Sequence, residues 1–162
     1  MRKIAVSLAL AAGLASSPAL AAGATGQEAT NTIQVSLNIS TACTLTTNPM
    51  SFGTVTSATG GATASSDTRV NCTPGAAYTV NIDNGLNAGG TGIRKLLSTT
   101  TTATVDYGIY TDAARTLPWT VAGFGGTGNG ADQTIPVLGR LTQATQVGAG
   151  TYQDTLTVTL HY

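Results

Sequence analysis

The stretch "NTIQVSLNISTAC", residues 31 to 43, alternates apolar and polar side chains with a period of two. This period is typical of an extended strand with one apolar face, because successive side chains of a strand point to opposite sides. A first strand usually finds its partner through a tight turn nearby, but no hairpin signal follows in "TLTTNPMSFG". We therefore predict that this strand pairs with another molecule. Its apolar face carries Ile33, Val35, Leu37 and Ile39.

The chain opens with the features of a secretory signal peptide. Two cations, Arg2 and Lys3, precede a short apolar run that ends at Ala19-Leu20-Ala21, a small-x-small pattern typical of signal peptidase sites. The apolar run is too short to span a bilayer, which disfavours a membrane anchor. We predict a signal peptide over residues 1–21, export of the remainder, and no membrane insertion.

The mature chain expected from Ala22 onward is weakly acidic. It carries five Lys and Arg residues against seven Asp and Glu residues, a net charge of −2. Nucleic-acid binding depends on many Lys and Arg contacts to phosphates, and the sequence has no basic patch. We therefore predict that nucleic acid is not a partner.

Cys43 and Cys72 are the two cysteines of the sequence. In an exported protein a disulfide bond between them is the default, and closing a loop of this length stabilises a fold by about 3 to 4 kcal/mol. A reactive or metal-binding thiol pair is disfavoured, because the spacing is not CxxC and no histidines lie nearby.

Short alternating runs recur along the rest of the chain, and long helical periodicity is absent. Clusters of Gly, Asn, Asp and Pro separate the runs, a pattern typical of an antiparallel sandwich or barrel. We predict one β-sandwich, in which the low-complexity stretches 56–68 and 123–133 are long connections. The predicted strands after the first are 68–72, 77–83, 104–111, 133–141 and 154–162.

The last run, "DTLTVTLHY" at 154–162, places Leu156, Val158, Leu160 and Tyr162 on one face. The sequence ends inside this strand, so the neighbouring sheet edge is expected to lack a partner unless another segment pairs with it. The surplus strand at 33–39 is the candidate for that partner.

The sequence contains no recognisable catalytic constellation. His161, the single histidine, lies on a Thr-rich strand face, and the scattered acidic residues are interpreted as turn residues and solvated charges. A GxGxxG match at 123–128 has no helix behind it, so we consider it accidental. Trp119 is interpreted as a core residue rather than a sugar platform. We expect no enzyme, no cofactor and no metal site.

Six stretches together resemble the spore coat protein U domain family, over nearly all of the mature chain. The most specific are "TDAART" at 111–116 and "AGTYQDTLTVTLHY" at 149–162. The other four are "SFGTV" (51–55), "NC" (71–72), "YTVNID" (78–83) and "GR" (139–140).

Within that family, the stretch at 32–43 is similar to the major pilins of archaic (Csu-type) chaperone-usher pili. The resemblance implies an all-β fold, an incomplete immunoglobulin-like β-sandwich that lacks its last strand. It also implies that a periplasmic chaperone holds the fold open until, at the outer-membrane usher, the next subunit completes it by donor-strand exchange. The expected product is a homopolymer, a pilus on the cell surface.

The resemblance assigns roles to two segments. Residues 22–40 become the donor segment, and residues 41–162 become the sandwich domain. Ile39 is either the last donor side chain or part of the subunit's own first strand. The donor side chains are Ile33, Val35, Leu37 and Ile39. The acceptor groove and the chaperone contact involve Leu156, Val158, Leu160 and Tyr162, although the first three are core positions in any sandwich.

Three functions stay open at this point. The first is a pilus subunit that supports adhesion and biofilm formation. The second is a secreted spore or cell-surface coat protein of the same fold, and the third is a sugar-binding domain. A two-domain tip adhesin is disfavoured, because the length suits one sandwich.

Overall fold

The structure is a computed structural model that describes residues 26–59, 61–90 and 92–162. The predicted signal peptide lies outside these residues. The chain divides after Leu37 into two units, Met1–Leu37 and Asn38–Tyr162. The strands of the second unit are β1 Cys43–Thr47, β2 Thr63–Cys72, β3 Ala77–Ile82, β4 Arg94–Ser98, β5 Thr104–Tyr110, β6 Phe124–Thr127, β7 Gln133–Leu141, β8 Tyr152–Gln153 and β9 Val158–His161.

Two antiparallel sheets form the sandwich. The larger has the strand order β1-β2-β7-β5-β4-β8 and the smaller has the order β6-β3-β9. One core contains inward side chains of both sheets, among them Val70 and Ile135 from the larger and Val80 from the smaller. The described residues contain no helix, and therefore none that could span a membrane. The predicted all-β sandwich is confirmed.

Two stretches that we interpreted as connections contain strands. The prediction for 56–68 is wrong from Thr63 onward, because β2 begins there and pairs with β7. The inward residues of this part of β2 are small, like Ala64, so its alternation is weak in the sequence. The prediction for 123–133 is wrong over β6, which pairs with β3. Gly126 of β6 lies against the Tyr78 ring, where a Cβ would collide with it.

The strands predicted from the sequence also omit β1 and β4. Leu45 is the one large aliphatic residue of β1, and β4 begins with the buried Arg94. Both strands form because they pair with a neighbouring strand, β1 with β2 and β4 with β5. Their existence depends on tertiary pairing more than on local periodicity.

The "TDAART" block forms a tight loop that is fastened to the larger sheet. The Asp112 carboxylate accepts hydrogen bonds from the backbone N–H of Leu117 (2.7 Å) and Thr116 (2.9 Å), and these bonds hold its pKa below the ordinary value. Arg115 adopts a left-handed backbone with φ 55°. Its guanidinium donates to the carbonyls of Gly139 (3.0 Å) and Ala64 (3.4 Å), which ties the loop to β7 and β2.

A polar network fixes the chain between β8 and β9. The Tyr107 hydroxyl donates to the Asp154 carboxylate (2.7 Å), and the side-chain amide of Asn87 donates to the same carboxylate (3.0 Å). Burial, together with this carboxylate, raises the pKa of the Tyr107 hydroxyl, so the hydroxyl stays a donor. The interpretation of the acidic residues as turn residues and solvated charges is therefore wrong for Asp154, which is half-buried and hydrogen-bonded.

Asp83 and Arg94 form hydrogen bonds near the point where the chain enters β9. The Asp83 carboxylate accepts hydrogen bonds from the backbone N–H of Thr157 (2.9 Å) and Gly85 (2.9 Å). The Arg94 guanidinium donates to the Asp83 carbonyl (2.9 Å) and the Ile82 carbonyl (3.2 Å). Burial raises the pKa of Asp83, but its hydrogen bonds and the Arg94 charge outweigh that effect and keep the pKa below the ordinary value. The path of the chain into β9 is thus set by side chains of this same domain.

The Tyr107→Phe substitution is expected to destabilise the protein, because it leaves the half-buried Asp154 carboxylate without its hydroxyl donor. Loss of a hydrogen bond to a charged group costs about 1.5 to 3 kcal/mol. Urea unfolding measures the change. The Tyr78→Phe variant is the matched control, because Tyr78 is also buried but its hydroxyl has no hydrogen bond to another described residue. Equal losses in the two variants would contradict a special role for the Tyr107 hydroxyl.

The Asp83→Asn substitution is expected to reduce the sensitivity of the fold to acid. The folded-state pKa of Asp83 lies below the ordinary value of an aspartate, so the carboxylate stabilises the fold above the unfolded-state pKa. That stabilisation is lost as the pH falls through the folded-state pKa. Urea midpoints of the two proteins should therefore differ most above about pH 5 and converge toward about pH 2. A difference that is constant across this pH range would contradict the prediction.

Candidate functional site

β9 is an edge strand of the smaller sheet. It pairs with β3 from Ile82↔Val158 to Thr79↔His161, and no strand of the described chain pairs with its other side. Its side chains alternate between half-buried and exposed, with Leu160 inward and Thr159 outward. The unpaired side is therefore a row of free backbone groups next to apolar side chains.

Backbone hydrogen bonds establish which residues face the unpaired side. The N–H of Leu86 donates to the Thr155 carbonyl (3.1 Å), and the N–H of Asp83 donates to the Thr157 carbonyl (3.1 Å). Antiparallel bonds to one neighbour come from every second residue, so the odd-numbered residues of 155–161 bond toward β3. The even-numbered residues then direct N–H and C=O toward the unpaired side, and their side chains lie on the inward face. These residues are Leu156, Val158, Leu160 and Tyr162.

The inward side chains of this edge are incompletely covered. Val80 on the neighbouring β3 is 0% exposed, whereas Leu156, Val158 and Leu160 pack against the same core but stay only half-buried. A further strand along the edge would cover them and would satisfy the free backbone groups. Tyr162, the last of the four, is 64% exposed.

β1 forms an edge of the larger sheet with the same arrangement. A disulfide bond joins Cys43 to Cys72 of β2, with their Cα atoms 4.1 Å apart. The N–H of Thr73 donates to the Ala42 carbonyl (2.9 Å), so the even-numbered residues of this edge bond toward β2. Cys43 and Leu45 direct their backbone groups outward, and both pack against the core.

The start of β1 and the end of β9 lie at the same end of the sandwich. Cys43 is opposite Cys72, the last residue of β2, and the turn 73–76 leads directly into β3. Near the start of β3, Thr79 is opposite His161. We call this the turn end. β1 runs away from the turn end, and β9 runs toward it.

The predicted donor segment is described from residue 26 onward. Residues 26–42 form no strand or helix, and every one of them is exposed. The four aliphatic side chains at 33, 35, 37 and 39 are 90%, 89%, 85% and 73% exposed, respectively. An exposed row of apolar side chains of this kind is typical of an interaction site. The extended stretch that the alternation predicts thus has no partner strand in the described chain.

His161 and Trp119 are the remaining candidates from the sequence. His161 is exposed, and no group of three or more His, Cys, Asp or Glu residues in the described ranges is arranged to hold a metal. Trp119 is 4% exposed and stacks on Phe124, with ring centroids 6.1 Å apart. It is therefore a core residue and not a surface platform. The edge role of β1 is the feature that sequence reasoning missed, and the period-two pattern of "CTLTT" is its one signal.

Comparison with solved structures shows the fold. A chain of one crystal structure matches with a TM-score of 0.61 and 20% sequence identity. The structure is that of the CsuC-CsuE chaperone-tip adhesion subunit pre-assembly complex from archaic chaperone-usher Csu pili of Acinetobacter baumannii. The match covers 76% of this chain and 40% of that chain, so this protein corresponds to less than half of the solved one.

The family comparison covers most of the sequence. No curated protein matches the chain. The model of the Spore Coat Protein U domain matches residues 29–159, from the predicted donor segment into β9. This family consists of structural proteins and not of enzymes. The chain belongs to the Spore Coat Protein U domain family.

Proposed function

We propose that the protein is a structural subunit of an extracellular chaperone-usher pilus and that it polymerises by donor-strand exchange. One observation carries the proposal. The chain has an exposed row of four alternating aliphatic side chains before β1 and, on β9, an unpaired edge with half-buried aliphatic side chains. Among the described residues, the row has no partner strand and the edge has no covering strand.

If the aliphatic row of one copy pairs with the β9 edge of the next copy, the row gains a partner strand and the edge gains a covering strand. Backbone groups of the even-numbered β9 residues accept the added strand, and its alternate side chains cover the core, as in other cases of β-strand addition. Each buried aliphatic side chain contributes about 1.5 to 3 kcal/mol, before the cost of ordering the segment. Four such side chains give a junction with a long lifetime.

The contact joins two different surfaces, so it is heterologous. A heterologous contact that does not close on itself produces an open filament. Each added copy brings a new free edge, and the filament can grow by one copy at a time. We propose that this filament functions in adhesion and biofilm formation.

Assembly requires that the β9 edge be protected before the donor arrives, because a free apolar edge is prone to aggregation. We propose that a periplasmic chaperone covers it and that an outer-membrane usher directs the exchange after export. The solved relative comes from a chaperone–subunit complex, which supports this partner class. Tyr162 lies at the end of this edge with its side chain exposed, and we propose that it contacts the chaperone.

A coat protein of the same fold is the second candidate, and the description of the matching family favours it. It differs from the pilus subunit in forming a surface layer instead of a filament. The third candidate is a sugar-binding domain. It is disfavoured because Trp119, the side chain considered for stacking on a sugar ring, lies in the core.

The double substitution Val35→Asp and Leu37→Asp is expected to abolish filaments and leave export and the sandwich intact. The two charges would have to be buried without partners in the next copy. The matched control is Gln34→Asp with Ser36→Asp, which adds the same charge to the outward positions of the same segment. Electron microscopy of surface filaments and circular dichroism of the purified protein measure the two effects.

Filaments of normal length in the Val35→Asp, Leu37→Asp variant would contradict the donor assignment. Loss of filaments in both variants would show that the added charge alone causes the effect. That result would also contradict the donor assignment. An ordered surface layer without filaments in the unsubstituted protein would favour the coat protein.

A further inference from the structure

We propose that a cavity beside β5 binds a small organic carboxylate that has an aromatic or branched aliphatic body. The cavity has a volume of about 570 Å³, which is in the range of pockets that hold small ligands. None of the described residues of β1, β9 and the predicted donor segment lines it. The site therefore does not depend on the proposed strand exchange.

The cavity forms where two segments leave the same side of β5. Arg94, the first residue of β4, is opposite Tyr107. The N–H of Trp119 donates to the Ile109 carbonyl (2.9 Å), which lies on the same side of β5. Only Gly108 separates these two contacts, so the chain before Arg94 and the chain after Trp119 both turn away from β5 at this point. The cavity lies between the two diverging segments.

The Arg94 guanidinium supplies a buried positive charge at this cavity. Arg94 is 4% exposed and lines the cavity, and its guanidinium donates to the carbonyls of Asp83 and Ile82. No carboxylate of the described residues forms an ion pair with it, since the ion pair among those residues is Lys95–Asp106. Burial lowers the pKa of Arg94, as expected for a cation removed from water. A buried cation without a counter-ion is unfavourable, so an anion in the cavity would be stabilised.

The geometry of the guanidinium favours a carboxylate. The Nε and Nη2 atoms of Arg94 donate along one edge of the group, and no described residue accepts a hydrogen bond from Nη1. Nη1 and the second N–H of Nη2 form the other edge, whose two parallel donors match a carboxylate or a phosphate. Asp106 also lines the cavity, and its negative charge repels a doubly charged phosphate more than a singly charged carboxylate.

Large aliphatic and aromatic side chains line the cavity around this group. Ile109 and Trp119 are buried in its interior. Ile93 and Val121 are 47% and 81% exposed, respectively, and lie at its opening. A ligand with an apolar body would cover these side chains while its carboxylate binds Arg94, so apolar burial would add to the ionic contact.

Titration of the purified full chain with phenylacetate tests the site. Trp119 is the single tryptophan of the sequence and lines the cavity, so its fluorescence reports binding directly. We expect a saturable change with a Kd of about 1 mM or lower, as for other ligands of this size. Phenylacetamide has the same shape without the charge and should bind at least about tenfold more weakly. Acetate, which has the charge without the ring, should also bind more weakly.

Substitutions at the opening of the cavity test the role of charge without disturbing the core. Val121→Asp is expected to raise the Kd for phenylacetate by about fivefold and Val121→Lys to lower it by a similar factor, because charges near the ligand repel or attract it. The matched control is Leu117→Asp. Leu117 is 60% exposed and also lies between β5 and β6, but it does not line the cavity, so the Kd should stay unchanged.

Three outcomes would overturn the proposal. The first is the absence of a saturable change at phenylacetate concentrations well above the expected Kd. The second is equal affinity for phenylacetate and phenylacetamide, which would exclude a carboxylate site. The third is an equal effect of Val121→Asp and Leu117→Asp, which would place the ligand outside the cavity. Electron microscopy of filaments from the same variants reports on the proposed function separately, because that function does not involve these residues.

Discussion

The unpaired side of β9 is the constraint on which the rest of the structure depends. A sheet edge in water exposes N–H and C=O groups that any extended chain can pair with, and here the same residues also carry incompletely covered aliphatic side chains. The same residues thus carry the unpaired backbone groups and the uncovered apolar side chains. A strand that pairs with the backbone groups also covers the side chains. The segment that we propose as the donor has the matching period and the matching exposure.

The exchange that we propose requires that the β9 edge keep its shape before a strand from another copy arrives. The network of Tyr107, Asp154, Asn87, Asp83 and Arg94 does this, because it holds the chain on the approach to β9 through groups of the same domain. The disulfide bond does the same for β1, an edge strand with few large apolar residues of its own. Both devices would limit the conformational entropy that the proposed strand addition has to offset.

The sequence predicts the central strands well, because large residues alternate there with period two, as in "TVDYGIY" of β5. It also predicts the exposed aliphatic row, because the alternation of 33–39 is strong and no turn signal follows. It predicts β2 incompletely and does not predict β6, since small residues and glycines carry little periodic signal. The role of Asp154 depends on Tyr107, 47 residues away, a contact that no local pattern contains.

The most direct test of the central claim is the thermal unfolding of a shortened chain that begins at Thr41, with and without a synthetic peptide of residues 22–40. A ligand that binds the folded state raises its unfolding temperature. We predict that the shortened chain is unstable alone, that the peptide raises its midpoint by tens of degrees, and that a peptide with Asp at positions 35 and 37 does not. A shortened chain that is already stable and is unaffected by the peptide would contradict the claim, because its sandwich would then be complete by itself.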